Sequence, residues 1–568
     1  MQTKWDKEVD LLVIGAGAGG MGTALVAALE GLQVLVCERS DQVGGTAATS
    51  AGTVWIPGNT QSIAAGYNDS ASQAKAYMDG LIASDHGNTL RDAFLASGPG
   101  VIDYLERRSE VKFVPSGRHP DYMDREGAAV TGRALAPATF DARVLKGDFR
   151  RVRPPIPEFM VFGGMMVGKD DIPRLINRFK SVGNFWYAGK LFARYLVDRL
   201  SHARGTRLVM GNALVARLFY SLRKANVPVA FNAGLQDLIV HSRQVQGAKV
   251  RIDGKETFIR ARKGVVLATG GYAHNQELRA AFMPKPTPAN SLACATNQGD
   301  GVAIGRKLGA RIEPDRHGPG AFWTPVSKTT RANGESGLYP HLSMDRAKPG
   351  LIAVNSAGKR FVNEGNSYHD FVNAMLESHK TVPTIPAYLI CEADFVRKYG
   401  LGAIHPGVRN LDPYKRSGYL SCANTLAELA ALIGVDPVGL AETVHRHNGF
   451  AKTGIDADFS KGSTELNRFN GDASNRPNPC LAPIERGPFC AMAVWPAEIG
   501  CSTGLAADVD GRVLHDDGTP IDGLYVCGND MASIMSGTYP GPGTTLGPAL
   551  VFGYRVAMHA KQRMLAAT

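Results

Sequence analysis

Asp10-Leu-Leu-Val-Ile-Gly15-Ala-Gly17-Ala-Gly-Gly20 is the stretch that decides the fold. Its apolar start predicts a buried strand, and its glycines predict a tight turn that opens a helix over residues 21–30. Gln33-Val-Leu-Val-Cys-Glu38 then predicts a second strand that ends on a carboxylate. Such glycines let a pyrophosphate approach the helix N-terminus, and Glu38 can accept from ribose hydroxyls. The sequence therefore predicts an α/β fold with a Rossmann-like dinucleotide-binding domain.

Two further stretches favour FAD as the dinucleotide. Gly44-Gly-Thr-Ala-Ala-Thr-Ser-Ala-Gly52-Thr53 follows Glu38 and offers a surface of small residues on which a ribityl chain could lie. β-like segments within 238–252 precede Lys263-Gly-Val-Val-Leu-Ala-Thr-Gly-Gly271, whose end would return to the pyrophosphate. We therefore expect a FAD-binding domain of the glutathione reductase type. Because no second GxGxxG opens a βαβ unit, the electrons should pass to an external acceptor, a quinone or another compound, and not to bound NAD.

A second glycine-dense turn lies near the end of the chain. Gly523-Leu-Tyr-Val-Cys-Gly528 predicts a strand, and Thr538-Tyr-Pro-Gly-Pro-Gly-Thr-Thr-Leu-Gly-Pro548 predicts a turn followed by a helix. The first N–H groups of a helix lack internal partners and carry partial positive charge. Gly541 and Gly543 would let a bound ring approach the backbone beside the Tyr539 phenol, an arrangement that suits a developing enolate oxygen. A plain turn that caps an ordinary helix remains an open alternative at this point.

Composition predicts a globular protein of more than one domain. The chain has 568 residues, of which 44% are hydrophobic and 20% are charged. A change of pattern near 275, and the return of glycine-rich apolar strands near 485, predict a FAD domain in two parts, 1–274 and 485–568. An inserted α+β catalytic domain, 275–484, would lie between them.

Charge and cysteine usage exclude several classes of protein. The formal net charge of +11 comes from scattered basic residues, so no nucleic-acid partner is expected. Eight cysteines form no CxxC pair, which predicts neither a metal site nor a disulfide framework and fits a reduced, cytoplasmic protein. Residues 11–29 are apolar, but their glycine cluster favours strand, turn and helix over a membrane span.

Further motifs support a resemblance over nearly the whole chain. They are Asn297-Gln-Gly-Asp-Gly301, Gly358-Lys-Arg-Phe-Val-Asn-Glu364, Gly487-Pro-Phe489 and Gly528-Asn529. With the motifs above, the chain resembles the FAD-dependent 3-ketosteroid dehydrogenases, the Δ1-dehydrogenases, within the fumarate reductase and succinate dehydrogenase flavoprotein superfamily. The resemblance implies α,β-desaturation of a cyclic ketone, with a 3-ketosteroid oxidised at its 1,2 bond as the leading expectation.

The resemblance also implies a role for each of four residues. Tyr539 and the N–H of Gly543 would hold the substrate carbonyl, and Tyr368 would take the α-proton with help from Tyr122. The β-hydride would pass to flavin N5. An unperturbed phenol has a pKa of about 10, so it donates well to an enolate but needs help to act as a base.

The residues expected to contact FAD come from every glycine-rich motif of the chain. They are Gly15, Gly17, Ala18, Gly19, Gly20, Glu38, Arg39, Gly45, Thr46, Ser50, Gly52, Thr53, Thr269, Gly270, Asp300, Gly528, Asn529, Thr545 and Leu546.

Departures from the family pattern leave the substrate open. Pro-Gly-Pro-Gly at 540–543 and Gly365-Asn366 before Tyr368 replace alanine-containing versions of these motifs. A smaller cyclohexanone-like ketone, or a 5α-steroid desaturated at the 4,5 bond, could therefore fill the pocket. Two other hypotheses are a fumarate reductase-like alkene reductase and a flavin-binding module without catalysis. The first is disfavoured because Tyr539 and the residues after it stand where such reductases carry their substrate arginine.

The segment 159–200 mixes aromatic and aliphatic residues with lysines and arginines. It predicts either a basic amphipathic patch that makes peripheral contact with a membrane, or a lid over the ketone with Tyr187 or Tyr195 entering the pocket. Core packing is the default expectation for most of these residues.

Overall fold

The computed structural model describes residues 4–84, 87–331, 333–342 and 345–563. In chain order its strands are Lys7–Ile14 (β1), Val34–Cys37 (β2), Val54–Trp55 (β3), Phe113–Pro115 (β4), Ala134–Pro137 (β5), Phe140–Asp141 (β6), Met160–Val161 (β7), Met165–Met166 (β8), Arg207–Leu208 (β9), Val229–Ala230 (β10), Ala233–His241 (β11), Gln244–Ile252 (β12), Lys255–Leu267 (β13), Asn290–Ser291 (β14), Ile312–Glu313 (β15), Ala321–Thr330 (β16), Ser336–Pro340 (β17), Leu351–Val354 (β18), Ala387–Glu392 (β19), Ser421–Ala423 (β20), Phe489–Cys501 (β21), Gly504–Leu505 (β22), Arg512–Leu514 (β23) and Pro520–Val526 (β24).

The α-helices connect these strands and cover their faces. They are Ala18–Leu29 (α1), Thr60–Ala64 (α2), Ala71–Ile82 (α3), Asn88–Arg108 (α4), Asp171–Ile176 (α5), Val182–Arg199 (α6), Met210–Lys224 (α7), Gln276–Phe282 (α8), Asp300–Lys307 (α9), Tyr368–His379 (α10), Ala393–Tyr399 (α11), Asp412–Arg416 (α12), Leu426–Ile433 (α13), Pro437–Thr453 (α14), Glu465–Asn470 (α15) and Leu546–Gln562 (α16).

An eight-stranded sheet forms the first layer of the fold. Its strand order is β10-β2-β1-β13-β12-β11, and β24 pairs with both β13 and β23. The strands β10, β2, β1, β13 and β24 run parallel, whereas β11 and β12 form an antiparallel extension. β1 is fully apolar and buried from Leu11 to Ile14, as expected for the centre of a parallel sheet covered on both faces. The predicted Rossmann-like α/β fold is confirmed.

The two ends of the chain meet on this sheet. α16 crosses α1 so closely that a Cβ on Gly553 would lie 2.6 Å from the Thr23 hydroxyl, and one on Gly19 would lie 3.5 Å from Ala549. Glycine at these positions lets the two backbones approach. The last helix therefore returns residues 539–546 to the turn that follows β1.

A seven-stranded sheet forms the second layer. Its order is β17-β16-β21-β19-β18, with β14 and β20 also paired to β21. Its strands span 290–501. The whole of β21 therefore lies beyond the predicted junction at 485, although it belongs to this second sheet. Tyr368 opens α10, which packs against this sheet through Phe371 and Met375.

One expectation about the cysteines is wrong. Cys422 and Cys490 form a disulfide, although no disulfide was predicted. β20 and β21 are antiparallel, and these two residues stand directly opposite each other in the register. A cross-strand pair that is 68 residues apart leaves no local spacing signature, so it can be seen only after the strands pair.

The apolar stretch 11–29 contains the end of β1, the glycine turn and α1, as its glycine cluster predicts. Across the residues described here, no helix combines the length and apolar character that crossing a membrane requires.

Candidate functional site

A cavity of about 340 Å³ lies between the two layers, at the carboxyl ends of the parallel strands. Every one of the nineteen predicted FAD contacts lines this cavity. So do Tyr122, Tyr368, Tyr539 and Gly543. The tertiary fold therefore brings together residues from both ends and the middle of the chain.

Gly15, Gly17 and Gly20 of the first motif differ in the space available for a side chain. A Cβ on Gly15 would lie 2.1 Å from the Ala268 carbonyl oxygen, and one on Gly20 would lie 2.0 Å from the carbonyl oxygen of Gly15. Both positions therefore exclude a side chain because strand and helix pack there. A Cβ on Gly17 would meet no atom within 4 Å, since this glycine faces the cavity. Of these three glycines, Gly17 is the one where the missing side chain leaves open space for a pyrophosphate.

Charged side chains gather at one end of the cavity. Glu38 is buried and accepts hydrogen bonds from the Ala16 N–H at 2.9 Å and from the Ser40 N–H at 3.0 Å. Arg39 forms an ion pair with Asp300 at 2.5 Å. Burial raises the pKa of Asp300, and the Arg39 charge opposes that shift. This end therefore has carboxylate acceptors for ribose hydroxyls and a guanidinium beside them.

The small-residue surface continues from Gly45 to Thr53. The Thr46 oxygen accepts hydrogen bonds from the Cys294 N–H at 2.9 Å and from the Asn297 side-chain amide at 3.2 Å. Its own hydroxyl hydrogen is therefore free to point into the cavity. A Cβ on Gly45 would meet nothing within 4 Å. Together these residues form an open polar trough that fits a flavin.

Asp530 supports the part of the cavity wall formed by the turn after β13, and this role was not predicted from the sequence. Its carboxylate is fully buried and accepts from the N–H and hydroxyl of Thr269 and from the N–H of Gly271. Burial raises the pKa of Asp530 to about 6. The N–H and the hydroxyl of Thr269 thus hold the turn after β13 in place on Asp530.

Two buried tyrosines, Tyr122 and Tyr539, meet the partly buried Tyr368 at the other end of the cavity. The hydroxyl groups of Tyr122 and Tyr368 lie 3.3 Å apart within hydrogen-bonding distance. The Tyr539 ring is stacked on that of Tyr122 at 5.8 Å and lies 5.4 Å from that of Tyr368. Phe322 closes the cluster at 5.0 Å from Tyr539. The sequence analysis named all three phenols, and only the fold shows that they touch.

Burial holds these phenols in their neutral form. It raises the pKa of Tyr368 well above 10, and the neighbouring Tyr122 and Tyr539 raise it further. Burial also raises the pKa of Tyr122 and of Tyr539, while hydrogen bonding to Tyr368 lowers both. Neutral phenols at this end are hydrogen-bond donors, and any one that loses its proton becomes a strong base.

Gly543 presents its backbone to the same cavity. Its φ is +98°, and a Cβ there would lie 2.4 Å from the Thr53 carbonyl oxygen, so only glycine fits without strain. Its carbonyl accepts from the N–H groups of Trp55 at 3.2 Å and Gly547 at 3.0 Å. Within the described residues its own N–H donates to no protein group. That N–H is available to a ligand oxygen beside Tyr539.

The turn at 540–541 is held by neighbours outside the cavity. The Pro540 carbonyl accepts from the Tyr122 N–H at 2.8 Å and from the Tyr77 hydroxyl at 2.7 Å. A Cβ on Gly541 would lie 2.8 Å from Trp55 Nε1 and 2.9 Å from the Asp121 carboxylate, which are themselves hydrogen-bonded. Gly541 does not line the cavity. The expectation that Gly541 lets a bound ring approach the backbone is therefore wrong, because this glycine serves packing against Trp55 and Asp121.

Arg346 is a second residue that sequence reasoning missed. It is buried, and its guanidinium donates to the carbonyl oxygens of Glu364 at 2.8 Å and Asn366 at 3.2 Å. These bonds fix the turn that leads into Tyr368, the first residue of α10. Burial lowers the pKa of Arg346 to about 10, and its charge in turn lowers the pKa of Tyr122. A lone arginine far along the chain gives no local signal of this role.

The outer wall of the tyrosine end is mostly apolar. Its residues, also missed from the sequence, are His119, Ile156, Phe159, Leu292, Thr296, Pro340, Leu342, Ile499 and Pro542. His119 stacks on Phe469 at 5.8 Å. Burial and the nearby Lys169 charge lower the pKa of His119 to about 4, so it is neutral at neutral pH. Of the described residues, Arg39 is the single arginine lining the cavity, and no lysine lines it.

Neither Tyr187 nor Tyr195 lines the cavity. The Tyr187 hydroxyl donates to Asp171 at 2.5 Å, and the Tyr195 hydroxyl donates to the Phe162 carbonyl at 2.6 Å. The expectation that one of them points into the ketone pocket is therefore wrong. Both instead fasten α6 to its neighbours.

Fold and cavity together define a flavoprotein with a two-layer dinucleotide-binding architecture. The sequence matches the family described as "FAD binding domain" over residues 10–546, and the chain belongs to that family. FAD is its cofactor, and the Gly17, Thr46 and Glu38 surfaces described above fit it. When bound, FAD accepts a hydride equivalent.

Relatives of known activity cover almost the whole chain. The 4-oxocyclohex-2-ene-1-carboxylate 5-dehydrogenase of Sinomonas cyclohexanicum is 37% identical over 96% of this chain and 92% of its own length. A 3-oxosteroid 1-dehydrogenase of Mycolicibacterium smegmatis is 35% identical over 97% of each chain. The crystal structure of the 3-ketosteroid Δ1-dehydrogenase from Sterolibacterium denitrificans, in complex with 1,4-androstadiene-3,17-dione, superposes with a TM-score of 0.89 and 35% identity, covering 98% of this chain and 99% of that one.

The Gly17→Val substitution separates cofactor binding from folding. Gly17 has φ −75° and ψ −179°, which valine adopts readily, and its Cβ would project only into the cavity. We expect a folded protein that binds FAD at least about tenfold more weakly, because the added methyls fill the space of the pyrophosphate. Bound FAD per chain and the melting temperature of the apoprotein measure the two effects. Gly80→Ala, at a helix position where a Cβ meets nothing, is the control that should retain FAD. Full FAD binding by Gly17→Val would contradict the assignment.

Proposed function

We propose that this enzyme desaturates a cyclic ketone next to its carbonyl, with a 3-ketosteroid oxidised at the 1,2 bond as substrate. The observation that carries the proposal is the meeting of Tyr539, the unpaired Gly543 N–H and the Tyr122–Tyr368 pair in the cavity of the FAD residues. Relatives at 35–37% identity named for ketone and steroid dehydrogenation support it.

The two donors would bind the ketone oxygen. A Tyr539 hydroxyl and a backbone N–H that point at one oxygen stabilise it most when it carries the charge of an enolate. Both are held rigidly: Tyr539 by its ring contacts, and Gly543 by its hydrogen bond to Trp55. Such donors do not need to reorganise when the charge develops, which is the source of their catalytic effect.

Tyr368 would remove the α-proton in the same cavity. The Tyr122 hydroxyl, 3.3 Å away, adds to the effect of burial and raises the pKa of Tyr368 while both phenols are neutral. It would donate to the Tyr368 oxygen once that oxygen carries charge, and so would stabilise the phenolate. Tyr368 is also the first residue of α10, where the helix dipole favours negative charge. As the α C–H bond breaks, its electron pair would form the C=C bond, and the β-hydrogen would depart with its own pair as a hydride, for which FAD held by the Gly17, Thr46 and Glu38 surfaces would supply the acceptor. The apolar wall excludes water during this transfer.

The lining favours an apolar substrate. Two relatives oxidise cyclohexanone-type rings that carry a carboxylate, according to their names. In this cavity Arg39 is paired with Asp300, His119 is neutral and no lysine is among the described lining residues, so the lining of the tyrosine end offers a carboxylate no unpaired cation. The Lys169 charge near His119 lies outside the lining. Ile156, Phe159 and Leu342 are suited to a hydrocarbon skeleton. A neutral imidazole at His119 can hydrogen-bond to a second oxygen of such a substrate.

The electron acceptor is proposed to be external. The sequence contains one βαβ dinucleotide fingerprint, which FAD occupies, and no second one for NAD. A quinone or another diffusible acceptor would then reoxidise the cofactor. Such apolar acceptors dissolve at membranes, which agrees with a proposed cytoplasmic enzyme that makes peripheral membrane contact.

Removing single hydroxyl groups tests the proposed roles. We expect Tyr539→Phe to lower kcat/KM by about 10²–10³-fold, because one oxyanion donor is lost. Tyr368→Phe should lower kcat by about 10²–10⁴-fold, because the base is lost. Tyr525→Phe is the matched control, since Tyr525 is buried, bonds to His559 at 2.9 Å and does not line the cavity. Rates are measured anaerobically by loss of oxidised-flavin absorbance after mixing with a 3-ketosteroid.

All three variants should retain FAD and the parent melting temperature. Wild-type rates for both Tyr539→Phe and Tyr368→Phe would refute the mechanism. An unreactive flavin in the parent enzyme, across steroids and cyclohexanones, would refute the function itself.

The pH dependence follows from the raised pKa of Tyr368. The phenolate is the active base, and its fraction rises about tenfold per pH unit below the pKa. Because that pKa lies well above 10, kcat/KM should increase steadily from neutral pH to about pH 10 without reaching a plateau. Initial rates with parallel checks of stability measure the profile. A profile that is flat above neutral pH would show that another group takes the proton.

Substrate choice gives an independent test. A 3-ketosteroid should reduce the flavin at least about tenfold faster than 4-oxocyclohexanecarboxylate at equal concentration, because the carboxylate would lose its hydration in an apolar pocket. The methyl ester of the same ring is the control that removes the charge alone. Faster reduction by the carboxylate than by the ester would contradict the apolar-substrate assignment.

A further inference from the structure

Exposed apolar side chains are concentrated in one part of the molecule. Of the seventeen large hydrophobic residues exposed in the described structure, ten lie between 162 and 200. They are Phe162, Ile176, Phe179, Val182, Phe185, Trp186, Phe192, Leu196, Val197 and Leu200. We call this set the apolar face. Contiguous exposed apolar surface is unusual on a protein that works alone in water, and it marks an interaction site.

The exposed apolar residues of α6 follow the helical repeat, so they form one continuous stripe. Val182, Phe185, Trp186, Leu196 and Leu200 recur at intervals of three, four and ten residues, which place them on one side. That side points away from the body of the protein: Trp186 is 71% exposed and Leu200 is 86% exposed. An ordinary surface helix turns this stripe inward, so α6 is amphipathic with its apolar stripe outward.

The polar side of α6 is bonded to the body. Asp198 is buried and accepts from the Arg143 guanidinium at 2.6 Å and from the Thr206 N–H at 2.8 Å. Tyr187 donates to Asp171, which Arg207 also binds at 2.9 Å. These bonds fix the orientation of the helix, so the outward apolar stripe is a feature of the folded state.

Positive charge borders the apolar face. The segment 174–200 contains six basic residues and one acidic residue, and that acid, Asp198, is buried in its bond to Arg143. Arg178, Lys180, Lys190 and Arg199 are exposed among the apolar residues. Long basic side chains beside an apolar stripe match an anionic lipid surface, where the stripe enters the hydrocarbon boundary and the charges remain at the headgroups.

We propose that the apolar face is a docking surface for the anionic surface of a lipid bilayer. A second copy of this chain fits less well, because a symmetric contact would bring two segments of net charge +5, from six basic and one acidic residue, against each other. The face is also continuous with the cavity wall. Phe159 lines the cavity, and the β7–β8 hairpin that follows it carries Phe162 onto Phe192 at 5.2 Å. Docking would therefore place the cavity beside the lipid.

Vesicle binding by the FAD-loaded enzyme tests the proposal without reference to ketone chemistry. The wild type should co-sediment with vesicles of phosphatidylcholine and phosphatidylglycerol and bind pure phosphatidylcholine vesicles at least about tenfold more weakly. The double variant Trp186→Asp, Leu196→Asp should bind the anionic vesicles roughly a hundredfold more weakly. The control Leu432→Asp, Ile455→Asp adds the same charge at exposed apolar residues of the other layer and should bind like the wild type.

Trp186 also reports on insertion directly. Its fluorescence should shift to the blue on vesicle addition and be quenched by brominated lipid, and Trp186→Phe should remove the shift while retaining binding. Trp55 and Trp323 are fully buried and should not respond. Equal vesicle binding by the Trp186→Asp, Leu196→Asp variant and its control would overturn the proposal. So would lipid-free dimerisation, seen by sedimentation velocity, that the same variant abolishes, because the face would then serve self-association.

Discussion

The close contact between residues 541–543 and the strand Val54–Trp55 is the constraint on which the site depends. The Trp55 N–H bonds to the Gly543 carbonyl at 3.2 Å, and both Gly541 and Gly543 lie where a Cβ would overlap neighbouring atoms. This contact joins a late segment of the chain to an early one, and it holds Gly543 in the cavity wall. It also fixes Pro540, whose carbonyl binds the Tyr122 backbone. This one contact therefore positions both the proposed carbonyl-binding group at Gly543 and the backbone of Tyr122.

Electrostatics in the tyrosine cluster follow from its burial. Neutral phenols are stable there because the surroundings disfavour charge, so the resting site is a set of donors that suits a ketone oxygen. Arg346 lies behind the cluster and donates to the backbone that leads into Tyr368. A buried cation in this position makes a transient phenolate less costly without providing a charge inside the pocket. The cavity can thus remain apolar for its substrate and still support proton removal.

The polar and the apolar parts of the cavity lie at different ends. The adenosine end of the cavity carries Glu38 and the Arg39–Asp300 pair, whereas the tyrosine end has hydrocarbon walls. Those walls continue outward through Phe159 toward the apolar face on α6. A route for apolar molecules between a lipid surface and the reaction site would explain why an outward apolar stripe is held by buried polar bonds. The disulfide between Cys422 and Cys490 lies in the second sheet, apart from this route.

The sequence by itself determined the cofactor fold and supplied the residues that we propose as the reacting groups. The spacing of Gly15, Gly17 and Gly20 before a helix, with Glu38 after the next strand, is a local pattern, and local patterns can be read from one chain. The tyrosines were named through a resemblance, since a phenol carries no spacing signal of its own. Tertiary structure alone decided that Tyr122, Tyr368 and Tyr539 meet, that Arg346 supports the turn before Tyr368 and Asp530 the turn after β13, and that Cys422 meets Cys490. These contacts join residues that are dozens to hundreds of positions apart, and only strand pairing and helix packing bring such residues together. The direction of the apolar stripe on α6 was likewise decided by the fold. The periodicity of the sequence shows that a stripe exists, but only the packing of the helix shows that it faces outward.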